Sequence, residues 1–218
     1  MTTNTEDTAG NTTGNTTGPD LTLFLAFHRG LRRDFGRLAD ALDRCPPGDA
    51  SRRALIDEHT AMQLRALHHH HTDEDVNIWP RLRALAPGAA GVLDQLEAEH
   101  QEMDAVIERL GIPRRPGPDQ ARDLRRLHDL LNAHLDLEES RAVPLIRAHL
   151  SAQWWEELGK EVVKSHGRDL PMVAAWALDA ASEEQRAHLL ATVPLMLRVL
   201  YRLAWRRAYE RRAAQVFG

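Results

Sequence analysis

Six residues in this 218-residue chain have types and spacings that can do chemistry: His28, His70, Glu74, His100, His134 and Glu138. Glu74 follows His70 by four positions, and Glu138 follows His134 by four. In a helix, residues four apart share a face and lie about 6 Å apart along the axis. The order also repeats. A lone histidine, His28, precedes His70-x3-Glu74-x5-Pro80, and a lone His100 precedes His134-x3-Glu138-x5-Pro144. The six sit on apolar stripes, where a bare buried carboxylate costs several kcal/mol or more. A shared cation removes that cost. Two helical hairpins related by a pseudo-twofold axis would bring four imidazoles and two carboxylates together. That set suits two metal ions with terminal imidazoles and the glutamates as bridges. Nitrogen and oxygen donors without sulfur favour iron or manganese over a closed structural zinc site.

The elements that position these residues read as helices. Phe24, His28, Leu31, Phe35, Leu38 and Leu42 recur at steps of four and three, and Cys45-Pro46-Pro47-Gly48 ends that run. Asp20 is placed to cap it. A second helix starts near Asp49 or Ser51 and reaches about Leu85. Its stripe takes in Leu55, Met62, Ala66, Leu67, His70 and Glu74, with a stop or kink expected at Pro80. Leu93, Leu96, His100, Met103, Ile107 and Leu110 mark a third helix, and Leu124, Leu127, Leu131, His134 and Glu138 a fourth. Four amphipathic helices with short turns and no strand signal predict an all-α fold, an antiparallel four-helix bundle over residues 20–150. Residues 151–218 read as a helical extension packed on it. There Ser151 is a cap, Asp169 with Pro171 a helix start, Ser182 to Gln185 a capping box, and Pro194 opens a last helix ending near Phe217. The Thr-, Asn- and Gly-rich residues 1–19 read as a disordered tail.

Composition narrows the function. The 12 histidines outnumber the 11 aromatics, while the single cysteine excludes an internal disulfide and a thiolate cluster. A net charge of −4 gives no global attraction to nucleic acid or membrane. The most apolar stretch, Val193 to Trp205, is interrupted by Arg198 and Arg202, so no membrane span is expected. No secretion signal is legible, and the chain is expected to be soluble and cytoplasmic.

The chain resembles the hemerythrin-like, or HHE cation-binding, domain. The residues that carry the resemblance are His28, HHHHTDEDVNIWPRL from His68 to Leu82, EAEHQEMDAVI around His100, and AHLDLEESRAVPL around His134. Residues 151–218 resemble the helical extension of actinobacterial members. The resemblance implies a four-helix bundle holding two non-heme, carboxylate-bridged iron ions. Carried over by position, the ligands are His28, His70, Glu74, His100, His134 and Glu138. It implies binding of, or reaction with, O2, NO or peroxide; the alternative is an iron- or oxygen-responsive binding module without turnover. Oxygen-carrying members have a further histidine four residues after the third-helix one. Here that position is Asp104, which matches a four-histidine, two-glutamate variant. Either Asp104 fills the place, or the second iron keeps an open position. The residues name no general acid and no substrate pocket.

Within the run His68 to His71, only one residue is expected to point inward, and His70 is chosen because Glu74 follows by four. His69 with Asp73 and His71 with Asp75 read as a solvated or peripheral face, with peripheral metal binding as the alternative. Asp75 and Glu139, each one residue past a bridging glutamate, read as exposed, with hydrogen bonds to ligand imidazoles as the alternative. His59 reads as a bundle-end residue, Cys45 as a structural or partly exposed thiol, and Trp176 as core. Tyr201, Trp205 and Tyr209 are expected to dock the arginine-rich last helix on the bundle.

Overall fold

The structure, a computed structural model, describes residues 18–113 and 115–218. The expected tail lies outside the described residues except for Gly18 and Pro19. These two are packed: Pro19 is buried, and a Cβ on Gly18 would come within 2.7 Å of the Arg147 carbonyl oxygen.

The described residues are helical, with no strand among them. The helices are α1 (Thr22–Asp43), α2 (Ala50–Asp73), α3 (Trp79–Leu85), α4 (Ala90–Leu110) and α5 (Gly117–His149), then α6 (Ala152–Ser165), α7 (Leu170–Ala180), α8 (Glu183–Thr192), α9 (Leu195–Leu200) and α10 (Arg206–Phe217). Among the described residues, no helix is long and apolar enough to cross a membrane. Capping follows the sequence in several places. Asp49 accepts from the Arg52 N–H at the start of α2, Ser151 caps α6, and Ser182 with Gln185 forms the reciprocal box of α8. Asp20 accepts from the Thr22 N–H, but the cap position of α1 is Leu21, and no side chain caps that helix. The Asp169 side chain instead bonds Arg65 at 2.7 Å and leaves the start of α7 without a side-chain cap.

Between α2 and α3 the chain does not stop at Pro80. A π-helical turn, Glu74–Ile78, joins them, with the Trp79 N–H reaching back to the Glu74 carbonyl. Proline lacks an N–H and its ring crowds the preceding turn. One inserted residue relieves that conflict, as π-bulges do. Pro144, at the corresponding place in the repeat, sits inside an uninterrupted α5.

Helix α1 packs along α5, α4 along α5, and α2 on α1. Two apolar clusters result. One contains Leu31, Phe35, Leu67, Met103, Leu127 and Leu131; the other contains Ile78, Trp79, Leu93, Leu96, Ala142 and Ile146. The six predicted site residues fall between them, on α1, α2 with its π turn, α4 and α5, as a polar layer. Helix α2 buries Ile56, His59, Thr60 and Gln63 besides the expected stripe, because α6, α7 and α10 cover its second face.

Residues 151–218 are held to this body by a buried carboxylate. Asp34 is fully buried. It accepts from Arg33 and Arg37 at 2.8 Å each and from the Trp176 indole at 2.8 Å. Burial alone would raise its pKa, but the Arg33 bond and charge, with Arg37 and Trp176, hold it below the usual carboxylate value. Arg33 also donates to Tyr209 Oη at 3.0 Å and to Asp179 at 2.8 Å, tying in α10 and α7. Tyr201 and Tyr209 are buried, and Arg212 pairs with Glu58. Helix α10 thus lies against α1, α2 and α7.

Gly30 permits the close approach of α1 and α7. A Cβ there would lie 2.7 Å from Trp176 Cζ2, and the indole, pinned by Asp34, has no room to move. Alanine gains up to about 1 kcal/mol of helix propensity, but overpacking costs about 1–3 kcal/mol. Gly30→Ala is therefore expected to lower the unfolding free energy, read by urea denaturation, and a neutral or stabilising result would refute the close contact.

His59 is buried and its ring nitrogen lies 3.2 Å from the Gln63 amide. Burial, the largest influence, lowers its pKa from 6.5 to about 4. Between those values the unfolded chain binds a proton that the folded chain does not, so stability falls as pH falls. The loss attributable to His59 is about 2 kcal/mol at pH 5. His59→Gln should flatten the pH 7 to pH 5 decline in urea midpoint; an unchanged decline would exclude His59 as its source.

Candidate metal centre

Helix α1 supplies His28, the end of α2 supplies His70 and His71, and the first residue of the π turn is Glu74. Helix α4 supplies His100, and α5 supplies His134 and Glu138. The six predicted residues do come together. His28 Nε2 is 3.1 Å from His70 Nε2, and His100 Nε2 is 3.2 Å from His134 Nε2. Two ligands at right angles on one ion, each about 2.1 Å from it, lie about 3 Å apart. The carboxylates join the two pairs. Glu74 lies 3.2 Å from His70 Nε2 and 3.4 Å from His100 Nε2. Glu138 lies 3.5 Å from His28 Nε2 and 3.8 Å from His134 Nε2. Each glutamate thus spans one imidazole of either pair.

The outer nitrogens fix the tautomers. His28 Nδ1 meets Glu139 Oε1 at 3.0 Å, His100 Nδ1 meets Asp75 Oδ1 at 2.8 Å, and His134 Nδ1 meets Glu99 Oε2 at 3.0 Å. An ionised carboxylate only accepts, so each Nδ1 carries the proton and each Nε2 turns a lone pair inward. The His100 and His134 lone pairs then face one another. All four oxygens of the fully buried Glu74 and Glu138 lack a hydrogen-bond donor. Desolvation, with the neighbouring Glu138 adding to it, pushes Glu74 well above the usual carboxylate range, and desolvation also raises Glu138. Desolvation and the adjacent imidazoles drive His70 well down and His134 to about 2. Neutral imidazole lone pairs and unpartnered carboxylate oxygens converging on one volume fit divalent or trivalent cations and little else. Residues 20–146 match the hemerythrin HHE cation-binding domain family. The chain belongs to that family. No curated protein and no solved structure matches the chain.

Within this hemerythrin domain the duplication is visible in space. The residue after each bridging-position glutamate holds the lone histidine of the other hairpin: Asp75 holds His100, and Glu139 holds His28. Of the two readings the sequence allows these acids, solvent exposure or hydrogen bonds to ligand imidazoles, the structure has the second: both are part-buried and bonded to site imidazoles. Sequence reasoning singled out no role for Glu99, whose bond to His134 crosses between α4 and α5. Its clearest miss is His71. The sequence puts it with Asp75 on a solvated or peripheral face, with peripheral metal binding as the alternative, yet it is buried and stacks on His100 with ring centroids 4.0 Å apart. Its ring nitrogens have no partner. Asp104 is exposed, so it does not occupy the place left by the missing α4 histidine. His69 is half-buried, faces His166 at 5.3 Å, and stays outside the centre.

Proposed function

We propose that this hemerythrin-family protein is a non-heme di-iron protein that binds or reacts with O2, NO or peroxide. Its ligands are His28, His70, Glu74, His100, His134 and Glu138, with the two glutamates bridging two iron ions. Helices α1, α2 with α3, α4 and α5 form the antiparallel four-helix bundle that holds them. The opposite order in which successive helices run between the two apolar clusters supports that reading. Residues 151–218 form the packed extension. A cytoplasmic setting suits the lone free thiol, Cys45.

The observation that carries this reading is the donor set: four orphaned carboxylate oxygens, each carboxylate lying between imidazole nitrogens of two different pairs. When bound, iron supplies redox chemistry and an exchangeable coordination position. The chain's own residues do the rest. Asp75, Glu99 and Glu139 orient three imidazoles and raise their basicity, while the apolar clusters above and below exclude water.

The test is metal analysis of protein purified without a histidine tag, with its near-ultraviolet spectrum. Close to two irons per chain is expected, with ligand-to-metal absorption that is lost in Glu74→Ala and His100→Ala. Stoichiometric zinc, or no bound metal with unchanged stability in those variants, would refute the reading.

A further inference from the structure

We propose that the outer face of α9, with the start of the chain that follows it, is a docking surface for anionic lipid, lying in the membrane–water interface without crossing it. A π-helical turn, Tyr201–Trp205, joins α9 to α10. No side chain of α9 is buried. Leu195 and Met196 are 71% and 69% exposed, Leu203 63%, and Val199 and Leu200 44% and 40%. The other exposed large apolar side chains, Leu23, Val76, Leu85, Ile112 and Val163, stand singly on separate elements. Scattered apolar residues are ordinary on a protein surface, whereas a contiguous group marks a binding face. The exposed stripe continues at helical spacing through Arg206, Arg207 and Arg211. It is therefore apolar over its first turns and basic after them. The aromatic residues of this segment turn the other way. Tyr201 and Tyr209 are buried, and Trp205 packs on the same cluster.

Charge selects the occupant. The chain carries −4 overall, yet residues 195–212 hold six arginines and one glutamate. That glutamate, Glu210, pairs with Arg206, and Arg212 pairs with Glu58. Arg198 donates to the Val193 carbonyl. Arg202, Arg207 and Arg211 are exposed and make no ion pair among the described residues. A layer of anionic headgroups answers both halves of the stripe. The aliphatic side chains enter the acyl boundary, and the guanidinium groups, on long apolar stems, stay at the level of the phosphates. A second copy paired through the same leucines would leave the three arginines without anions, because the one acid of the stripe is already taken. Nucleic acid would use the arginines and not the leucines. Protein partners seat aromatic and arginine anchors in pockets, with leucine and valine under-represented. Neither the groove of about 790 Å³ between α2 and the end of α4 nor that of about 370 Å³ at the start of α4 reaches this face.

Vesicle flotation of the full-length protein tests this. One set of vesicles is phosphatidylglycerol and phosphatidylcholine in equal parts, and the other is phosphatidylcholine alone. Binding to the first and not the second is expected, weakening as salt is added. Leu195→Ser with Leu203→Ser should weaken it by at least about tenfold. Arg207→Gln with Arg211→Gln should do so by at least about tenfold as well. All four side chains are exposed, so both double variants should keep the wild-type melting temperature, which separates a lost contact from a lost fold. No binding by the wild type to the anionic vesicles, or equal binding to both sets, would overturn the proposal. Undiminished binding in the leucine variant with loss in the arginine variant would also overturn it, marking a purely electrostatic face of the kind nucleic acid uses. Sedimentation as a dimer that the leucine variant abolishes, without vesicle binding, would assign the face to a second copy instead.

Discussion

Glu74→Leu is expected to be more stable than the wild type without metal and less stable with it. Glu74 is fully buried, and neither of its oxygens has a donor. Leucine of similar volume removes that unsatisfied group, which is worth about 1–3 kcal/mol, in line with the gain of about 1–4 kcal/mol when buried ionic groups give way to apolar ones. The wild type has the opposite response. An ion that binds only the folded state stabilises it by about 4 kcal/mol at a thousand times its dissociation constant. At about 2–4 °C per kcal/mol for a chain of this size, the metal-free variant should melt several degrees above the wild type. Iron should raise the wild-type midpoint by about 8–16 °C and leave the variant nearly unmoved. Scanning calorimetry of chelator-treated and iron-loaded protein reads both signs. A metal-free variant less stable than the wild type would mean that Glu74 has a partner in the folded chain. An unchanged iron-dependent shift would mean that it holds no ion.

Much of the centre was legible because its code is local. His70 and Glu74, or His134 and Glu138, are one helical turn apart, and helix geometry alone aims them together. The repeated spacing then implies a second half. Burial of His28, His70, Glu74, His100, His134 and Glu138 follows from their places on apolar stripes. The rest depends on contacts between distant segments. His71 was assigned outward because one helix in isolation offers a single buried face, whereas the end of α2 is covered from two directions. The stripe of α2 was drawn too narrowly for the same reason. The π turn answers Pro80, but the same proline position in α5 leaves the helix regular, so the residue itself does not dictate it. For Asp75 and Glu139 the place one residue past a bridging-position glutamate allows a bond to an imidazole, but only the packing of one hairpin on the other decides between that and exposure. Glu99 had none along the chain.

Asp34 is the residue whose importance the sequence hid most completely, since in α1 it looks like an ordinary polar-face acid flanked by arginines. Its removal is expected to be the most damaging single change outside the centre. The carboxylate accepts from Arg33, Arg37 and the Trp176 indole, and the amide of the buried Gln63 lies 3.4 Å from it. Asp34→Ala would leave the indole N–H without its acceptor and two guanidinium groups without their shared anion. Breaking a buried ionic contact by deleting one partner costs about 3–5 kcal/mol, or about 6–20 °C in melting temperature. The loss should fall on one joint. Arg33 also holds Tyr209 and Asp179, so its release loosens α7 and α10 from α1 together. Limited proteolysis of Asp34→Ala at a temperature where it is still folded should therefore cut first within residues 151–218, while the iron binding proposed for the centre is retained. Asp34→Asn should recover part of the stability, because an amide still accepts from the indole but lacks the charge that both arginines require. Equal loss in the two variants would mean that charge, and not the hydrogen-bond geometry around Trp176, carries the joint; no loss in either would mean that the extension is held by its apolar contacts alone.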